Sequence, residues 1–288
     1  MPTLSPDRPG RTRPDVDAEQ AASGAFPCTI DWGGGVVTPD ENGFATALVV
    51  RRMRRLGITS PSVERALDFL ETCAAEPAGA FAFWPPSPRP AWAAGLPPDA
   101  DDTAVITLEL LAHGRRTRDQ ARDALVDVLV ASAQGRPLLP GPPWWRAGVF
   151  PTWLRLDGVD RDHVLDCGVN ANVVALMTVL DARDLPGHDE AVDMVVSAVG
   201  WCAQGVDADA AVRADSIAPY YASPSAVLEI LDDAVWCGAA ELAGARDTFA
   251  ALVGDIPRDV TALWRNAYGG PVWRCRALGL LAGTATSG

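Results

Sequence analysis

The sequence predicts an all-α fold on three observations: successive stretches with apolar residues at three- and four-residue intervals, short links joining those stretches in pairs, and weak strand signals. The chain has 288 residues, 48% of them hydrophobic, enough to bury a large core, and no Gly/Ser-rich linker divides its middle. The expectation is therefore one domain, 26–288, behind a flexible N-terminal tail, 1–25, which is polar, rich in Pro, Arg and Asp, and lacks the apolar run of a signal peptide.

Thr29–Trp32 and Gly35–Thr38 flank the turn signal Gly33-Gly34-Gly35 and could pair briefly. Helices follow at Asn42–Leu56 and Ser62–Ala75, the second opened by Ser60-Pro61, an N-cap with proline in the first helical position. Asp102–His113 and Arg118–Ala133 make the next pair. The irregular stretch Gln134–Asp160, with Trp144, Trp145 and Trp153 among Pro and Gly, is long enough to be functional or folded over a site. His163–Ala182 with Asp189–Cys202, then Ser225–Leu242 with Arg246–Leu252, continue the pattern, Ser223-Pro224 opening the last pair. Asp259–Asn266 and Val272–Leu281 read as two further helices. Short links imply antiparallel hairpins, and repeated hairpins bury two faces only by stacking into a solenoid or closing into a ring.

Composition removes several function classes. A net charge of −13 argues against nucleic acid and anionic membrane surfaces as partners, and no apolar run is long enough to span a bilayer. All 24 basic residues are arginine, which excludes lysine Schiff bases and the lysine of a phosphate-binding P-loop. Cys28, Cys73, Cys167, Cys202, Cys237 and Cys275 stand singly, as small core residues of a reducing cytoplasm. His113, His163 and His188 are isolated, so no metal site is expected from them. Neither a Gly-x-Ser-x-Gly elbow nor a GxGxxG loop occurs, and no nucleotide or redox cofactor is implied.

The chemistry concentrates at Asp99-Ala100-Asp101-Asp102-Thr103-Ala104, three carboxylates in four positions between Leu96-Pro97-Pro98 and an apolar helical stretch. The prolines stop any preceding helix and an Asp is a favoured N-cap, so a helix begins within Asp99–Asp102. One Asp suffices to cap. Crowded like charges make one carboxyl keep its proton, while the helix N-terminus stabilises an anion, a combination suited to a general acid. Trp84, Trp92 and Trp153 lie near this motif in sequence; tryptophan faces stabilise cations, and tryptophan also simply fills helical cores.

Asp99-Ala100-Asp101-Asp102-Thr103-Ala104 resembles the DxDD motif, often continued as DxDDTA, of class II terpene cyclases. Their β domain is a double ring of helices, an (α/α) barrel, shared with squalene cyclases and protein prenyltransferase β subunits. The resemblance implies that fold here. It also implies that Asp101 protonates a terminal alkene or epoxide of an isoprenoid, an isomerase or lyase reaction, while Asp99 and Asp102 hold its orientation and charge. Asp166-Cys167-Gly168-Val169-Asn170-Ala171-Asn172-Val173 and Tyr220-Tyr221-Ala222-Ser223-Pro224 are similar to segments of this helical-barrel group, which makes Asn170, Tyr220 and Tyr221 substrate-side candidates beside Trp84, Trp92 and Trp153. Asn170 and Asn172 lie two apart and cannot share one helix face, so at most one reaches a central cavity.

Complete class II cyclases carry a second helical domain, and this chain has room for one barrel, so either the cavity is self-contained or a homodimer or partner chain completes it. QW repeats and DDxxD spacing are both absent. For a diphosphate substrate, Arg51, Arg52, Arg54 and Arg55 or Arg265, Arg274 and Arg276 could bind the head group, with Mg²⁺; an arginine-rich helix is otherwise a solvated face. Two other classes compete. A non-catalytic lipid-binding or scaffolding toroid would leave the Asp cluster exposed and merely capping. An (α/α)-barrel carbohydrate enzyme would pair Asp101 with Asp166 or Asp215 across a polar groove.

Overall fold

The computed structural model describes residues 15–134, 140–154, 164–205, 208–254, 259–267 and 269–282. Within the expected tail, residues 1–14 fall outside that set. Residues 15–25 are packed instead of trailing. Val16 lies in the core, and Asp17 accepts hydrogen bonds from the hydroxyls of Ser60 and Ser62 at 2.7 and 2.6 Å.

Strands β1 (Cys28–Asp31) and β2 (Val37–Asp40) pair antiparallel with Cys28 opposite Asp40, across Gly33, Gly34 and Gly35, all at positive φ. Helix α1 (Gly43–Arg55) is capped by Asn42, and α2 (Pro61–Thr72) by Ser60 with Pro61 at its first position. A small hairpin, β3 (Ala74–Ala75) with β4 (Ala80–Phe81), leads to α3 (Ala100–Ala112). Next, α4 (Arg118–Asp123) passes through a π-helical segment, Ala124–Val130, into α5 (Ala131–Ala133). Then come α6 (Cys167–Val179), α7 (His188–Ala203), α8 (Ala208–Ser216), α9 (Pro224–Trp236) and α10 (Ala243–Val253). The stretch of α8, Ala-Asp-Ala-Ala-Val-Arg-Ala-Asp-Ser, has Val212 as its one large apolar residue and is not expected as a helix from sequence.

The chain is mostly helical but not all-α. Asp259–Asn266 and Val272–Leu281, expected as helices, instead supply β5 (Ala262–Arg265) and β6 (Val272–Cys275), with only α11 (Arg276–Ala282) helical. They join the first hairpin in a four-stranded antiparallel sheet of order β2-β1-β6-β5, with Cys28 opposite Cys275. The reason is visible in the burial: Trp273 and Cys275 point inward while Val272 and Arg274 stay partly exposed, a period of two. Runs this short fit either period, and Gly269-Gly270-Pro271 between them is a turn signal.

Four helices form the centre. α1 packs on α3, α3 on α6 and α6 on α9. Ion pairs Arg52–Glu229 and Arg55–Asp233 link α9 back to α1. Ala100–Leu110 of α3 and Cys167–Thr178 of α6 are buried on every face, as all-round apolar helices must be. α2, α7 and α10 pack against α1, α6 and α9, and the α4–α5 helix packs against α3. These bury one stripe each; on α7 it is Ala191, Met194, Val195, Ala198, Val199 and Cys202, at three- and four-residue spacing.

Candidate active site

Pro97 and Pro98 end the approach to α3, and Asp99 caps it, its carboxylate accepting from the Asp102 amide at 2.7 Å. The stretch Val149–Leu154 folds over this helix start: the Ala100 amide donates to Thr152 at 2.8 Å and the Leu154 amide to Pro98 at 3.1 Å. Asp166 caps α6 in the same way, accepting from the Gly168 and Val169 amides at 2.7 and 3.2 Å and from the Tyr220 amide at 3.1 Å. Each of these two adjacent helices thus begins at a buried capping carboxylate.

Asp101 points into the space between them and is buried. The Tyr221 hydroxyl donates to its Oδ2 at 2.6 Å and the Asn172 amide to its Oδ1 at 2.8 Å. Asn172 also donates to the Tyr221 oxygen at 3.1 Å and accepts from Arg51 Nη1 at 3.0 Å. Because arginine only donates, Arg51 fixes which way the Asn172 carboxamide faces. Arg51 is held in turn by Glu109, Nε to Oε1 at 2.9 Å, and by Asp233 at 3.7 Å. The position of Tyr221 depends on Gly168, where a Cβ would lie 2.3 Å from the tyrosine ring.

Burial, and then the charge of Asp99, push the Asp101 pKa up to about 8, against the bonds from Tyr221 and Asn172, which favour its anion. Asp102 rises well above the carboxylate range for the same two causes, and neither of its oxygens has a hydrogen-bond partner among the described residues. Asp99 is raised by burial as well, while the backbone amide of Asp102 that donates to it pulls the other way. Burial and mutual repulsion thus favour the protonated form of these acids, and the conjugate base of Asp101 has two donors ready.

The carboxyls face a narrow, partly open cleft with a free volume of about 10 Å³, walled by Phe44, Phe83, Trp153, Tyr220 and Trp264, with Thr152 and Val169. A second chamber, also of about 10 Å³ free volume, shares Phe83, Asp99, Trp153 and Trp264 with it and adds Trp84, Arg89, Leu96 and Pro97. Trp153 and Tyr220 are fixed against each other by a 2.9 Å bond from the indole to the hydroxyl. Behind Trp84, Asp40 accepts from the indoles of Trp84 and Trp273 at 2.7 and 3.0 Å.

Several expected residues fall elsewhere. Trp92 is 51% exposed, lines neither chamber and packs on Trp84 and Trp32. Asn170 holds the covering loop, exchanging hydrogen bonds with the Phe150 backbone at 3.0 and 2.9 Å; its neighbour Asn172 is the one that reaches Asp101. Asp215 pairs with Arg265 rather than facing Asp101 across a groove. The arginines expected to hold a diphosphate are all engaged: Arg51 and Arg54 with Glu109, Arg52 with Glu229, Arg55 with Asp233, Arg265 with Asp215, Arg274 with Asp259 and Arg276 with Glu19. Among the described residues no cluster of three His, Cys, Asp or Glu side chains is arranged to hold a metal. Glu109 and Trp264 join the site without having been singled out, and Arg51, expected on a diphosphate, orients Asn172 instead; the available signal for Glu109 was a charged residue inside an apolar helical run, Leu108-Glu109-Leu110.

No protein-family model matches the chain, and no curated protein matches it. One solved structure, a protein from Actinoplanes, is similar over 93% of this chain and 70% of its own, with 14% identity and a TM-score of 0.51. That likeness concerns the fold alone.

Proposed function

We propose that this chain is a protonation-initiated cyclase of the class II terpene cyclase type, with Asp101 as the general acid. The observation that carries the reading is a buried, proton-holding carboxyl at the end of an aromatic cavity, with Tyr221 and Asn172 placed to receive its negative charge. The Asp101 O–H bond breaks as its proton joins the CH carbon of the substrate's terminal alkene, whose π electrons form the new C–H bond and leave a tertiary cation on the dimethyl-bearing carbon. The next alkene attacks that cation to close a ring, and loss of a proton to a base, or addition of water, ends the cascade. Asp101 must then regain a proton before the next turnover. The faces of Phe44, Phe83, Trp153 and Trp264 suit the migrating cation, and their dryness keeps water from intercepting it early.

The proposed architecture is a short (α/α) barrel with α1, α3, α6 and α9 inside and α2, α4–α5, α7 and α10 outside. It is supported by the succession of helix contacts and by the ion pairs that return α9 to α1. The sheet is an addition to such a barrel and contributes Trp264 to the cavity wall. The walls named all come from one chain, which supports the self-contained form of the cavity. A scaffold reading would want exposed acids that only cap; Asp101 and Asp102 are buried, and neither is the cap.

The test is incubation with farnesyl and geranylgeranyl diphosphates, beside Asp101→Asn, with extracts analysed by mass-coupled chromatography. The wild type should form a cyclic isomer or its hydrate, and the variant should lose about a thousandfold in rate while keeping its far-UV circular dichroism. An equally active Asp101→Asn variant would sink the assignment of the acid.

A further inference from the structure

Two of the cysteines that stand singly in the sequence meet across the sheet. Cys28 of β1 and Cys275 of β6 are opposed residues of an antiparallel pair, both buried and both free thiols. The backbone fixes how closely they approach. A residue in an antiparallel ladder points its N–H and C=O to the same side, and the Cys275 amide donates to Thr261, just before β5, at 2.8 Å, so it faces away from β1. The amide of Trp32, an even step along the chain from Cys28 and so facing the same way, donates to Val36 at 2.9 Å, on the β2 side. Cys28 and Cys275 are therefore a pair with no hydrogen bonds between them, the closer kind of antiparallel pair, with Cα atoms about 4.5 Å apart, inside the span of about 4.4–6.8 Å that disulfides bridge. Their side chains share one face: Cys28 and Ile30 point inward from β1, Trp273 and Cys275 from β6.

From this juxtaposition we propose that Cys28 and Cys275 are a redox-active pair that a hydroperoxide, of which hydrogen peroxide is the smallest, oxidises to an intrachain disulfide stapling β1 to β6. Burial of both sulfurs selects an oxidant of about water size over another protein or a bulky disulfide. Contact with Cys28 lowers the pKa of the Cys275 thiol against the effect of burial, and the Leu278 and Ala277 amides add to that lowering, so Cys275 is the nucleophile. Its thiolate attacks one oxygen of the peroxide, the O–O bond breaks, and a sulfenic acid forms with hydroxide, which takes up the Cys275 proton as water. The Cys28 sulfur then displaces the sulfenic hydroxyl, its own proton leaving in a second water, and the S–S bond closes. The two sulfurs give up two electrons and the peroxide becomes two waters. The staple holds the aromatic wall of the candidate site: Trp273 donates to Asp40, which stands opposite Cys28 on β2, and packs edge-on against Trp264 with ring centroids 4.4 Å apart. None of this depends on Asp101 or its chemistry.

The full chain is reduced, freed of reductant, exposed to hydrogen peroxide and quenched with N-ethylmaleimide; its peptides are then mapped without reduction by mass spectrometry, beside a thermal melt. A link between the Cys28 and Cys275 peptides is expected, with a Tm higher by about 5 °C or more that dithiothreitol reverses, since the bond closes a loop of nearly the whole chain. Cys28→Ala should form no link and leave Cys275 as a sulfenic acid trapped by dimedone, and Cys275→Ala should form neither link nor sulfenic acid at Cys28. The wild-type map decides the matter if either variant fails to fold. No link after peroxide, a link elsewhere such as Cys167 with Cys202, or a link that leaves Tm unmoved overturns the proposal.

Discussion

Asp101 and Glu109 lie about two turns apart on α3, both buried, yet their surroundings differ completely. Glu109 meets two guanidiniums, Arg51 and Arg54, at 2.9 and 2.8 Å. Asp101 meets a phenol and a carboxamide and has two other acids for neighbours. Burial is common to both, so burial alone does not set the chemistry of a carboxyl; the presence or absence of a counter-ion does. The two regions are also joined, because Arg51 bridges from Glu109 to the Asn172 amide that holds Asp101. A structural ion pair at one end of the helix thereby orients an acid at the other.

The comparison breaks most visibly at its paired end. Glu109→Leu leaves the buried Arg51 with only the longer contact to Asp233 as counter-charge and should cost about 3–5 kcal/mol in chemical denaturation, whereas Arg51→Met with Glu109→Leu should recover much of that. A double variant no more stable than the single would show that the pair is not the unit supposed here.

A pH series sharpens the unpaired end. With a folded-state value of about 8 against an ordinary 3.8, Asp101 keeps its proton in the native protein where the unfolded chain has released it. Stability should therefore fall as pH rises from about 4 to about 8, by a few kcal/mol in total. Asp166, raised to about 7 by burial, and Asp102 act in the same direction. Asp101→Asn should flatten the slope of Tm against pH without abolishing it; a slope as steep as the wild type would exclude Asp101 as its source.

The smallest effect tests the donors. Tyr221→Phe removes a bond that favours the Asp101 anion, so the acid weakens and the high-pH limb of the kcat profile should move up by about one unit. An unmoved limb, with folding intact, would detach Tyr221 from the titration of Asp101.

Much of this was legible in the sequence because it is local. Pro97-Pro98 before Asp99 marks a helix start, Ser60-Pro61 and Ser223-Pro224 mark two more, and hydrophobic period marks surrounding helices such as α7. What escaped depends on distant parts of the chain. Nothing in Val49-Val50-Arg51 names Glu109 as its partner, and the spacing of Asn170 and Asn172 shows that they diverge without showing which one turns inward. The sheet escaped for a related reason: β5 and β6 are too short to declare a period, and their neighbour β1 is nearly a whole chain away.

That last pairing has a consequence for how the molecule is made. A ribosome delivers β1 and α1 early, but the edge of β1 finds β6 only after α9 and α10 have been synthesised. Helical hairpins can form as they emerge, since their contacts are local, whereas the sheet closes only with the final segments. Until then Cys28 and Ile30, buried in the finished protein, lack their cover from Trp273 and Cys275. Nascent chains stalled before Val272 should accordingly be the aggregation-prone stage of biosynthesis, and release of the last strand the event that ends it.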